Sequence, residues 1–253
     1  MHYAPVGIKC PEHAAIGATR PTAQRTYRQA KGRVKGLDAP ATVILVAINV
    51  IVYFITVAQG FGLNNPGGRI FVDGALVGAA IDIEGDWYRL VSAMFLHGSV
   101  IHLAFNMLAL YWLGTIVEEA LGVWRFLLIY FTAGIAGSAG ALVLSSPTQF
   151  TVGASGAIYG IMGALLVLEY LSTGSFAGQA MGLIVLNLVI TVSVPNISLG
   201  GHLGGLIGGI AATFALMRFR HHRHRALGPA LVVLIAVAAV VVAYVRVGSY
   251  GSY

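Results

Sequence analysis

The sequence predicts an all-α membrane protein, and three observations carry that reading. Only 9% of the residues are charged while 57% are hydrophobic, against about 25% charged in a soluble domain. Apolar runs recur at roughly 41–59, 99–116, 124–144, 155–170, 177–194, 200–217 and 229–247, each near the ~20 residues with which a helix crosses a bilayer, though the fourth is short. The basic residues are segregated: seven of the fifteen Lys and Arg precede residue 40, and four lie between Arg218 and Arg225. Both clusters belong on the cytoplasmic side by the positive-inside rule, and an even number of spans separates them. A helical bundle satisfies its own backbone in lipid, which suits such runs.

The elements follow in order. Residues 1–40 form a basic, Gly/Pro-containing cytoplasmic tail, and the first forty residues lack the apolar stretch of a cleavable signal peptide. Residues 41–217 hold six spans, 218–228 a basic cytoplasmic linker, 229–247 a seventh span and 248–253 a short outer tail. The net charge of +6 resides largely in the tail and linker, so it points to a lipid surface and not to nucleic acid. The lone Cys10 excludes an intramolecular disulfide, and with His2 and His13 it offers at most three ligands where zinc usually takes four. The tail is expected to be flexible and metal-free. The loop at 60–98 carries Asp73, Asp82, Glu84 and Asp86 and so reads as extracytoplasmic. Its segment Trp87–Leu96 is expected to lie partly in the headgroup region and not to span. Gly98-Ser99 reads as a break followed by an N-cap.

Alternating spans bring the starts of the second, fourth and sixth runs to one depth on the outer side. Those starts carry His102, Ser155 and His202. Imidazole inside a bilayer is costly and usually functional. Ser155 stands in Gly153-Ala154-Ser155-Gly156 at a helix start, where its N–H has no helical partner and the dipole is positive. The same small residues also suit plain helix packing. His202 lies within two ladders, Gly200/Gly204/Gly208 and Gly201/Gly205/Gly209, which permit close approach to a neighbouring helix; if that is the Ser155 helix, the imidazole reaches the hydroxyl. His102 and Asn106 share a face and could donate to a developing oxyanion, or simply tie helices together. His97 is placed to brace the loop. Tyr159, one turn below Ser155, could stack on the imidazole. The nearest carboxylate on that run, Glu169, is fourteen residues away, about 21 Å along a helix, and Glu118 and Glu119 end the second run on the inner side. Any acyl-transfer machinery is therefore a Ser–His dyad without an acid. A three-His metal site from His97, His102 and His202 is the competing reading. It lacks the H-E-x-x-H pattern, since Gly98 follows His97.

The set Trp87-x-Arg89, Phe95-Leu96-His97-x4-His102-x3-Asn106, Gly153-Ala154-Ser155-Gly156-x2-Tyr159-Gly160 and His202 with its glycines resembles the rhomboid intramembrane serine proteases over about 40–217. The resemblance implies a six-helix core, here with one additional C-terminal helix, in a multi-pass plasma-membrane protein. It implies Ser155 as nucleophile, His202 as base and then acid, and His102 and Asn106 as oxyanion donors beside the Ser155 N–H. It also implies structural roles for Arg89 and Glu118, single-pass membrane proteins as substrates, and no cofactor. Gly201 departs from the Ala common before the catalytic His, without blocking the chemistry. A noncatalytic rhomboid-like binder is the alternative within the family, and such a protein is expected to lose Ser155 or His202; this chain keeps both. Cys10 and His13 could be the remnant of a Cys-rich ribbon seen in some bacterial relatives.

Overall fold

The computed structural model describes residues 2–4, 7–9, 39–220 and 226–250. In the basic tail, β1 (His2–Ala4) and β2 (Gly7–Lys9) pair antiparallel with His2 opposite Lys9. That is local order where the composition alone suggested none. Cys10 and His13 lie outside the described residues, as does 221–225 of the Arg/His run.

The helices are α1 (Pro40–Gln59), α2 (Gly68–Gly74), α3 (Gly78–Glu84), α4 (Arg89–Ser92), α5 (Val100–Leu121), α6 (Val123–Leu144), α7 (Ser155–Thr173), α8 (Gln179–Ser193), α9 (Leu199–Arg218) and α10 (Leu227–Gly248). Among the described residues six of them, α1, α5, α6, α7, α9 and α10, are long and apolar enough to cross a membrane. The expected run 177–194 contracts to the 15 residues of α8, about 22 Å against a hydrocarbon core of about 30 Å. The second run extends instead, because α5 continues through Glu118 and Glu119 to Leu121 before Gly122 ends it at φ 84°.

α9 sits between α6 and α7 and packs on both more than on any other element. The two glycine ladders explain how. A Cβ at Gly205 would overlap the Gly156 carbonyl oxygen, and one at Gly209 the Gly160 carbonyl, so this ridge lies on the α7 backbone. The other ridge lies on α6, where Gly200 meets the Gly140 carbonyl and Gly204 the Ala136 carbonyl. Lipid tails are as apolar as Leu, so helices here are held by close packing and not by water exclusion.

Carboxylates tie down two of the helix ends. Glu118, 2% exposed, accepts from Ala41 N (2.9 Å), Thr42 N (2.7 Å) and Thr42 Oγ1 (2.7 Å). A carboxylate on α5 thus caps the N-terminus of α1, where orphan donors and the dipole favour an anion. Glu169 at the end of α7 does the same for α8, accepting from Gln179 N (3.1 Å) and Ala180 N (3.0 Å).

The loop between α1 and α5 is folded on the bundle. The segment Trp87–Leu96 does not span; it packs one side on the bundle, with Arg89, Leu90, Ala93, Met94 and Leu96 buried, and leaves Tyr88 and Val91 exposed. Arg89 pairs with Asp86 (2.9 Å) and donates to the Val72 (2.7 Å) and Ala75 (2.8 Å) carbonyls, knitting the loop together. Ser138 of α6 donates to the Leu90 carbonyl (2.8 Å), which anchors α4 to the bundle. α10 lies along α6 and also touches α3. At its far end Arg246 Nε and Tyr250 OH both donate to the Leu142 carbonyl (3.2 and 3.3 Å), and Tyr244 stacks on Trp87.

Candidate active site

Ser155 opens α7 because the chain before it is held in a conformation no helix can continue. Gly153 has φ +127°, its N–H donates to the Ala93 carbonyl (2.9 Å), and Thr151 exchanges backbone hydrogen bonds with Leu76. The folded loop therefore fixes where the helix starts. His202 lies in the first turn of α9, whose N-cap Ser198 accepts from Gly201 N (3.0 Å). The ridge of Gly205 and Gly209 brings that turn onto α7, and His202 Nε2 lies 2.9 Å from Ser155 Oγ. Tyr159 stacks on the imidazole at a centroid distance of 4.0 Å and 18° between planes. His202 and Tyr159 are buried while Ser155 and Gly153 are partly open.

The second ring nitrogen of the imidazole has a partner that sequence reasoning missed. His202 Nδ1 lies 2.6 Å from Thr191 Oγ1 of α8, and Thr191 also contacts Tyr159 OH at 2.8 Å. A lone Thr in an apolar run carries no motif. The available signal was its spacing, one turn after Asn187, on a helix flanking the His202 turn.

His102 follows the N-cap Ser99, whose Oγ accepts from His102 N (3.2 Å), as the Gly98-Ser99 break anticipated. Its Nδ1 accepts from the Gly98 N–H in a long 3.5 Å contact, an arrangement compatible with a hydrogen on Nε2. A Cβ added at Gly153 would lie 2.8 Å from His102 Nε2 and 3.8 Å from Ser155 Oγ. Both groups thus border one small space, kept open by the missing side chain. Asn106 is buried; its Nδ2 donates to the His102 carbonyl (2.8 Å), and its Oδ1 has no partner. The amide has a second N–H, but it makes no hydrogen bond to Ser155. His97 is fully buried and lies edge-on to His102 with centroids 5.1 Å apart. The three imidazoles do not converge, because both His202 nitrogens face hydroxyls. Among the described residues no His/Cys/Asp/Glu group is arranged to hold a metal. Glu118 and Glu169 are engaged with helix N-termini, away from Ser155.

The Rhomboid domain family matches residues 84–219. Rhomboid protease GluP of Bacillus subtilis is 39% identical over 180 residues, covering 69% of this chain and 34% of GluP. Putative rhomboid protease YdcA of the same organism is 32% identical over 145 residues, covering 56% of this chain and 73% of YdcA. Rhomboid-type serine protease 2 of Emericella nidulans is 33% identical over 138 residues, 52% of this chain and 27% of that protein. The chain thus spans a third of the length of GluP and nearly three quarters of YdcA. With a family match over more than half its residues, on a bundle of helices of membrane-spanning length, this multi-pass membrane protein belongs to the rhomboid family.

Proposed function

We propose that the chain is an intramembrane serine endopeptidase that cuts transmembrane segments of single-pass membrane proteins with a Ser155–His202 dyad. The observation that carries this is the 2.9 Å approach of His202 Nε2 to Ser155 Oγ at the start of a helix. In the reaction His202 Nε2 takes the Ser155 proton as Oγ attacks the scissile carbonyl carbon. The oxyanion forms in the space above Gly153, where the Ser155 N–H and His102 Nε2–H donate and the second N–H of Asn106 assists. His202 then returns the proton to the leaving amide nitrogen, and water, deprotonated by the same imidazole, hydrolyses the acyl-enzyme. Tyr159 holds the ring in plane in place of an acid, while His97 and the absence of side chains at Gly153 and Gly156 preserve the shape of the site. The substrate approaches beside α8 and the loop before α5. The protein resides in the plasma membrane with its N-terminus cytoplasmic and Ser155 toward the extracytoplasmic side, an orientation that the two basic clusters support.

The test is cleavage of a protein bearing one transmembrane segment by purified wild type, Ser155→Ala and His202→Ala in detergent. Both variants are expected to lose turnover, and the double variant to be no worse than either, since members of one machine are not additive. Cleavage retained in Ser155→Ala would refute the assignment, and a wild type that binds substrate but never cuts it would favour the binder.

A further inference from the structure

The hydroxyl of Thr191 has one hydrogen and three neighbours, and its proton can be accounted for. Asn187 O, one turn back on α8, is 2.8 Å away and can only accept, so the Thr191 proton goes there. Its oxygen then faces Tyr159 OH at 2.8 Å and His202 Nδ1 at 2.6 Å as an acceptor for both. That arrangement requires a hydrogen on Nδ1. A neutral imidazole carries one ring hydrogen, so Nε2 presents a lone pair to Ser155 Oγ. We propose that Thr191 is a positioning residue that holds His202 in the Nδ1–H tautomer, the form able to take a proton from Ser155. The proposal rests on the dyad reading above and gives the dyad the orienting partner that soluble triads obtain from a carboxylate. A neutral hydroxyl has an advantage at this depth, because it needs no buried charge.

The location matters as much as the bond. Thr191 is 4% exposed, and on α8 only Ala180, Ile184 and Thr191 are buried. The base is thus oriented by the most lightly buried of the helices around the site. Its tautomer is set only while the outer half of α8 lies against α7 and α9.

Two measurements on the full chain in detergent test this, using Thr191→Val, which keeps the shape and removes the hydroxyl, and Thr191→Ser, which keeps the hydroxyl and removes a methyl group. In nitrogen NMR of protein labelled at His, with His202 assigned by loss of its signals in His202→Ala, the wild type should show Nδ1 protonated and Nε2 bare. Thr191→Val should show a mixture of tautomers, and Thr191→Ser the wild-type pattern. In cleavage assays Thr191→Val should lower kcat by about 10-fold with KM unchanged, the size of effect expected for one lost hydrogen bond, and Thr191→Ser should recover most of it. A wild-type His202 protonated at Nε2, or a Val variant as active as Ser or more so, would overturn the proposal. The NMR reading does not depend on turnover. An inactive wild type with the Nδ1–H pattern would therefore sink the protease reading and leave the tautomer assignment standing. A Thr191→Val protein that failed to fold would still leave the wild-type spectrum and the Ser variant to decide.

Discussion

Gly153 shows how much a single position can carry. Its φ of +127° is one that side chains rarely adopt, and a Cβ there would press on the His102 ring at 2.8 Å. Gly153→Ala should therefore fail twice, by backbone strain and by filling the space that Ser155 and His102 share. The expected outcome is a folded protein whose kcat falls at least about 10²-fold, the scale for a misplaced catalytic group or a lost oxyanion donor. Assays of cleavage alongside the unfolding temperature in detergent separate the two effects, and wild-type kcat would show that this space is not where the carbonyl oxygen sits. The sequence alone singled out Gly153, Ser155, Tyr159 and His202 because small residues and imidazole are conspicuous in an apolar chain. It did not single out Thr191, since a Thr bonded to the carbonyl four residues back is the ordinary state of such a residue in a helix. Only the fold shows that its oxygen has room for two more partners.

At the scale of helices, the distance from His202 to Ser155 is set by backbone contact between α9 and α7. Gly205→Val and Gly209→Val each place a branched side chain where the α7 backbone at Gly156 or Gly160 already sits. Neither touches a reactive group, yet each should reduce kcat on the order of 10²-fold, because about 1 Å of separation is enough to break a near-attack geometry. Full cleavage activity in both would mean that some other contact fixes the pair. The period of the glycines made a close approach legible in the sequence. It could not say that there are two partners, α7 for one ridge and α6 for the other, because Gly137 and Gly140 on α6 read equally well as ordinary small residues of a membrane helix. The loop before α5 was the least legible part. Its helices are short, and its order comes from contacts distant in sequence, such as Arg89 to the Val72 and Ala75 carbonyls and Ser138 to Leu90.

For the molecule as a whole, the helix ends divide into two faces. The Leu142 end of α6 meets the Arg246 end of α10, and it is also the end at which α9 begins, since Gly200 lies on Gly140. α10 therefore finishes on the face that holds Ser155 and His202. With the proposed orientation, a phosphatase active only outside the cytoplasm should work when fused after Tyr253 and stay silent when fused after Arg225. A fluorescent protein that matures only in the cytoplasm should give the opposite pattern. A cytoplasmic signal after Tyr253 would invert the orientation and move the proposed cleavage to the other side of the bilayer.

The clasp between α10 and α6 changes what counts as one unit of this protein. The family match ends at residue 219, yet Leu142, inside it, has its last-turn carbonyl satisfied by Arg246 and Tyr250, which lie outside it. Trp87, near the start of the match, leans on Tyr244. A carbonyl left bare near the end of a helix in lipid is expensive. The stretch matched by the family domain and the stretch joined by these contacts are thus different lengths of chain. The last helix, outside the matched domain, is in this sequence fastened to that domain at its far end by Arg246, Tyr250 and Tyr244.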